Sequence, residues 1–200
     1  MSATGKPILY SKWFSSCSQR VRIALNLKGV DFEYRATNPM TDPDYEKINP
    51  VKFVPALVDG DLVVSDSFAI ILYMEDKYPQ HPLLSQDLKN KALNLQIASI
   101  VCSSIQPLQS HAVIFYMIFC RVHFLAQWTL TRASRWFSSI LTKASEGDVF
   151  IAPQIHAGVT RFQIDMSKYP ILARLQAAYN EHPAFQAALP KNQPDAPPSQ

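Results

Sequence analysis

A chain of 200 residues, 48% of them hydrophobic, can enclose more than one small core, so one domain or two compact ones fit its length. Its 19 basic and 16 acidic residues leave a formal charge of +3 with no Lys/Arg cluster, which argues against nucleic acid or an anionic membrane as partner. Three widely spaced cysteines, Cys17, Cys102 and Cys120, and a start without the layout of a signal peptide predict a reducing, cytoplasmic setting.

Ile8-Leu9-Tyr10 reads as a first strand, and Val21, Ala24, Leu25 and Lys28 mark the helix after it. Between them, Ser15-Ser16-Cys17-Ser18-Gln19-Arg20 sets hydroxyls and a thiol where that helix begins. Unpaired N–H groups and about half a positive charge in a helix's first turn stabilise a thiolate, whether it belongs to the protein or to a ligand. Simple N-capping by the serines and a small buried Cys17 fit the same residues. Phe32-Glu33-Tyr34-Arg35-Ala36 alternates like a half-buried strand, and a polar, Pro-containing stretch over 38–44 follows.

Val54-Pro55-Ala56-Leu57-Val58 and Leu62-Val63-Val64 flank Asp59-Gly60-Asp61, the signature of a hairpin. Pro55 at the start of a strand keeps its missing N–H out of the ladder; a cis bond there would expose backbone able to clamp an extended peptide, whereas a trans bond would merely open the strand. Ser65-Asp66-Ser67 then introduces a helix carrying Phe68, Ile71, Leu72 and Glu75. The Ser67 hydroxyl with the first N–H groups suits a carboxylate and Asp66 an ammonium, and plain capping suits both residues equally. The resulting order, βαβαββα, predicts a mixed sheet with helices on its faces.

Tyr78-Pro79-Gln80-His81-Pro82 breaks the pattern. From Asp87 the spacing of Leu88, Ala92, Leu95, Ile97 and Val101 is helical, as is that of Ile171, Leu172, Leu175, Ala178 and Tyr179. The division expected is an α/β domain over 1–80, a linker over 81–86, an all-α domain over 87–190 and a frayed, Pro-rich tail over 191–200. The apolar stretch after residue 112, interrupted at Arg121, is shorter than the roughly 20 residues of a membrane span. His81, His111, His123, His156 and His182 lack metal-ligand spacing. Arg20 and Arg22 read as structural, and Arg161 as a partner for Asp165 four residues on.

Ser15-Ser16-Cys17-x-x-Arg20-Val21-Arg22-Ile23-Ala24-Leu25, Val54-Pro55, Asp66-Ser67, Ile105-Gln106-Pro107-Leu108-Gln109, Ala152-Pro153-Gln154 and Gln193-Pro194-Asp195 together resemble the zeta class of glutathione S-transferases. The hallmark activity of that class is maleylacetoacetate isomerisation. The resemblance implies a thioredoxin-like first domain and an all-helical second one, glutathione as a cofactor that is regenerated, and a cytoplasmic homodimer serving tyrosine catabolism. Small carboxylate-bearing electrophiles, α-halo acids among them, are the implied substrates. Residue by residue, it implies that Ser15 donates a hydrogen bond to the glutathione sulfur, with Ser16 beside it and Cys17 modulating the site. Val54, ahead of Pro55, would pair its backbone with the cysteinyl part, Asp66 and Ser67 would bind the γ-glutamyl end, Gln106 would reach in from the helical domain, and Arg161 would meet the substrate's carboxylate.

The chain departs from the class in two places. Residues 38–47 are fewer than expected and lack the glutamine that holds the glycine end of glutathione. After Gln109 the chain has Ser110 in place of asparagine, then the apolar Val113-Ile114-Phe115-Tyr116-Met117-Ile118-Phe119-Cys120, and the likeness lapses over 121–143. Ser145-Glu146-Gly147-Asp148 reads as a capping box that restarts a helix. Two other functions fit the sequence. A thiol transferase or dehydroascorbate reductase would depend on Cys17 rather than Ser15, and a non-catalytic scaffold would bind glutathione without isomerising a maleyl substrate.

Overall fold

The apolar runs of the first eighty residues assemble into one sheet in the computed structural model, which describes residues 5–109 and 146–198. Strands β1 (Ile8–Ser11), β2 (Glu33–Ala36), β3 (Ala56–Asp59) and β4 (Leu62–Ser65) lie in the order β2-β1-β3-β4. β1 runs parallel to β2, with Leu9 opposite Tyr34, and antiparallel to β3, with Leu9 opposite Leu57. The wholly buried β1 is thus central, while β4 closes one edge with Leu62 and Val63 exposed. Gly60, at φ +66, begins the two-residue β3–β4 turn, the placement of glycine that a II′ hairpin requires.

Helices α1 (Ser16–Lys28), α2 (Pro43–Ile48) and α3 (Ser67–Lys77) follow β1, β2 and β4. Beyond them come α4 (Leu88–Ile100), α5 (Glu146–Phe162), α6 (Pro170–Glu181) and the short α7 (Pro183–Ala187). A parallel β1–β2 pair needs a crossover, and α1 supplies it. Left-handed Gly29 ends α1, its N–H donating to Leu25 O and Asn26 O, the usual means of satisfying the last carbonyls of a helix. α1 is buried continuously from Ser18 to Leu25 and packs on both α3 and α7. Two of its largest enclosed side chains are Arg20 and Arg22. The buried face of α3 is Ser67, Ile70, Ile71 and Met74; Leu72, expected on that face, is exposed. Each such fully buried aliphatic side chain contributes about 1.5–3 kcal/mol.

Contacts divide the chain into two compact units, Met1–Leu83 with Pro183–Gln200, and Leu84–His182. Within the stretch 191–200, expected as a frayed tail, Gln193 and Asp195 are held in place. Gln193 is buried and donates to Ala187 O and Leu189 O, both at 2.8 Å, and Asp195 accepts from Trp13 N and Tyr34 Oη. The exit from the first run of the first unit is fixed as firmly. The Lys28 side chain is fully enclosed, with Nζ 2.9 Å from Glu75 Oε2, and it donates to Tyr78 O and His81 O. Glu75 in turn accepts from Leu83 N at 2.8 Å.

In the second unit α4 packs on α5 and α5 on α6. α4 buries Asn94, Ile97 and Ala98, whereas Leu88 and Ala92, read as apolar-face positions, are exposed. It passes into a π-helical turn, Val101–Ile105, closed by Gln106 N donating to Val101 O at 2.8 Å. The wide turn ends at Pro107, which has no N–H with which to continue the helix. Gln154 donates to Gln109 Oε1 at 2.7 Å, both side chains buried, and Tyr179 donates to buried Asp148. Burial pushes the Tyr179 phenol well above its ordinary pKa. Ser110, His111, His123, Cys120, the apolar run after residue 112, the 121–143 stretch and Ser145 of the capping box lie outside the described residues.

Candidate active site

The sheet register gathers three loops at one end. Tyr10 stands opposite Ala56, and Ala56 opposite Ser65, so the end of β1, the start of β3 and the end of β4 are level. The loop to Ser15, the Val54-Pro55 pair and the Asp66-Ser67 pair all join the sheet there.

Ser15 caps α1. Its Oγ accepts from Ser18 N at 3.1 Å, its carbonyl from Gln19 N at 2.9 Å, and its own N–H donates to Lys12 O at 3.0 Å. A hydroxyl carries one donor and two acceptor lone pairs. Capping engages one acceptor, and the hydroxyl hydrogen has no acceptor among the described residues. Ser16 and Cys17 follow in the first turn, both half-buried. A donor at the positive end of a helix, together with that helix's first N–H groups, favours an anion such as a thiolate.

The Val54–Pro55 peptide bond is cis. Backbone hydrogen bonds among the described residues leave Val54 unengaged. Its neighbour Phe53 is held, because Phe53 O accepts from both Tyr45 Oη and Asn49 Nδ2, the latter at 2.8 Å. Asn49 also accepts from Val51 N at its side chain and from Lys52 N at its carbonyl, so one buried amide organises the turn leading to Val54. Tyr45 packs on Tyr10, ring centroids 5.5 Å apart.

Asp66 caps α3, its Oδ1 accepting from Phe68 N at 2.9 Å and Ala69 N at 3.0 Å. It holds φ +84, a region in which a non-glycine residue costs about 1–3 kcal/mol and which concentrates at functional sites. Ser67 is buried, and its Oγ accepts from Arg20 Nη1 at 3.2 Å. Arg20, read as structural, therefore ties the N-terminal half of α1 to the first turn of α3.

Arg22 acts on the loop before Ser15. It donates to Ser11 Oγ at 3.0 Å, Lys12 O at 3.4 Å and Trp13 O at 3.1 Å, and through Nε and Nη2 to Ala188 O. Burial pulls its pKa down to about 10, which leaves it a cation at neutral pH. Burial, with the hydrogen bond to Asp195, pushes Tyr34 up to about 12 and keeps it a donor. Gln106 and Arg161 belong to the second unit. Gln106 is half-buried at the close of the π turn, and Arg161, also half-buried, is in the last turn of α5. Asp165, its expected partner, accepts at Oδ1 from Ser167 N and Oγ. The described residues contain no group of three His, Cys, Asp or Glu placed to hold a metal ion.

Residues 14–77 match the family model for the glutathione S-transferase N-terminal domain. The chain is 59% identical to a glutathione S-transferase of Triticum aestivum, with 98% of each chain covered. It is 47% identical to a zeta-class glutathione S-transferase of Euphorbia esula, covering 94% of this chain and 92% of the relative. Among solved structures, the maleylacetoacetate isomerase of Anaeromyxobacter dehalogenans with glutathione in its active site superposes with a TM-score of 0.82 at 30% identity, over 96% of this chain and 98% of that one.

Proposed function

The chain belongs to the zeta class of the glutathione S-transferases, and from that membership we propose that it isomerises maleylacetoacetate to fumarylacetoacetate with glutathione as cofactor. The protein is an enzyme, and neither the Cys17-centred transferase nor the scaffold is favoured by its relatives. One observation carries the reading: Ser15 caps α1 through an acceptor lone pair while its hydroxyl hydrogen stays available at the positive end of the helix.

The residues of the first unit fit glutathione. Its thiol suits the Ser15 hydroxyl, its cysteinyl amide suits the unengaged Val54 backbone, and its γ-glutamyl carboxylate suits the N-terminus of α3 at Ser67, with Asp66 taking the ammonium. Bound glutathione supplies a thiolate that adds to a conjugated cis double bond and leaves after rotation about the resulting single bond. The chain's own task is to hold that sulfur ionised near neutral pH, against a free-thiol pKa of about 8.5. Ser15 does so by donation, helped by the field of α1, with Ser16 and Cys17 shaping the same turn. Gln106 is assigned to glutathione and Arg161 to the substrate carboxylate by resemblance, and a guanidinium pairs with carboxylate in bidentate fashion. Small α-halo acids are expected as further substrates.

Purified protein is expected to isomerise maleylacetone only when glutathione is present; isomerisation at an equal rate without glutathione, or none with it, would sink the reading. We also propose a homodimer working in the cytoplasm, where Cys17 and Cys102, neither of them in a disulfide, stay reduced. No helix among the described residues is long and apolar enough to cross a membrane. The first unit exposes Val51 at 66% and Phe53 at 70%, along with Leu62 and Val63 on the edge strand, apolar surface of the kind that marks an interface. Light scattering is expected to give twice the chain mass, and a monomer at micromolar concentration would refute the dimer.

A further inference from the structure

We propose that Asp195 is a positioning residue for Ser15, holding the Lys12-Trp13-Phe14 backbone in place from a segment that closes onto the first unit after the helical one. The proposal rests on the role given to Ser15 above. Its physical basis is the division of labour between the two carboxylate oxygens. Oδ1 accepts from Tyr34 Oη at 2.6 Å and Oδ2 from Trp13 N at 3.0 Å. Tyr34 lies on β2 in register with Leu9 of the buried central strand, so the carboxylate is anchored to the sheet on one side and grips the loop on the other.

Arg22 completes the clamp. The carbonyls of Lys12 and Trp13 accept from its guanidinium, which also donates to Ala188 O of the same closing segment. Trp13 is therefore held at both its N–H and its C=O, two residues before Ser15, by groups that depend on residues 188–195. Gln193 fixes that segment to Ala187 O and Leu189 O. A loop between a strand and a helix has no ladder of its own, and a misplacement of about 1 Å in a reacting group can cost about 10²-fold in rate. Release of Trp13 N–H would let the Ser15 hydroxyl drift from the sulfur it serves.

The test uses the full chain with Asp195→Ala, Asp195→Asn and Tyr34→Phe. The ultraviolet absorbance of bound glutathione thiolate is titrated against pH, kcat/KM is followed over the same range, and thermal unfolding is recorded for each variant. Asp195→Ala is expected to raise the pKa of the bound thiol by about one unit, which is about a tenfold loss of thiolate well below that pKa. Asp195→Asn, which keeps one acceptor oxygen, is expected to recover part of that shift, and Tyr34→Phe to show less of it than Asp195→Ala. Alkylation of Cys17 in ligand-free protein, resolved by mass spectrometry, gives a readout independent of glutathione and is expected to quicken several-fold in Asp195→Ala. A variant of lowered melting temperature whose thiol pKa and Cys17 reactivity match the parent would overturn the proposal and leave Asp195 a purely structural residue. If the parent itself shows no glutathione thiolate band, the reading of Ser15 fails, and Cys17 reactivity alone then decides whether Asp195 holds the loop.

Discussion

Ser15→Ala is expected to lower kcat/KM for glutathione-dependent isomerisation by about 10²–10³-fold, the range for removing one preorganised donor from a developing or stored negative charge. The same substitution removes the N-cap bond to Ser18 N, which costs about 1 kcal/mol and leaves a folded protein in which the kinetic loss can be measured. Ser15→Asp separates the two roles. A carboxylate still caps the helix, but it offers the sulfur no hydrogen and repels its charge, so stability is retained while activity falls at least as far. Cys17→Ser is expected to keep most of the activity. If instead Cys17→Ser abolished turnover and Ser15→Ala spared it, the thiolate that adds to the double bond and leaves after rotation would be the protein's own rather than that of glutathione.

The second large effect is on stability. Lys28→Met is expected to cost about 3–5 kcal/mol, because it breaks a buried ion pair from one side and strips the carbonyls of Tyr78 and His81 of their donor. Urea unfolding followed by circular dichroism reads the loss. Adding Glu75→Gln to Lys28→Met should recover part of it, since a neutral amide costs less to bury than a carboxylate and still accepts from Leu83 N. A loss below about 1 kcal/mol, the range of exposed pairs, would mean that water reaches Nζ.

Local features were legible in the sequence because their causes are local. Asp59-Gly60 announces a hairpin, Ser15 and Asp66 announce helix starts, and the apolar run Ile8-Leu9-Tyr10 and the alternation over 32–36 mark the first two strands. The face of α3 was read one step off. Phe68, Ile71 and Leu72 satisfy helical spacing as well as Ile70, Ile71 and Met74 do, and only packing decides between them. Arg20 and Asp195 were illegible for a different reason. Arg20 meets a hydroxyl 47 residues away and Asp195 an amide 182 residues away, and no periodicity encodes such pairings. A buried guanidinium also runs against the expectation that arginine stays at the surface, so its value as a donor to Ser67 emerges only in three dimensions. Asn49 lies between these cases. Its partners lie within four residues, yet nothing in Asn49-Pro50 distinguishes an organiser of the turn from an ordinary loop asparagine.

Residues 183–195 return to a sheet whose strands all precede residue 66. In terms of synthesis, the first eighty residues leave the ribosome early but cannot finish their own unit until the whole helical unit has followed them. The domains of most chains fold as each emerges. Here the nascent sheet must wait, with part of the surface of α1 uncovered and Trp13 N without its acceptor, so the Ser15 turn, proposed above to hold the thiol, is among the first parts of the chain to be made and among the last to be fully braced.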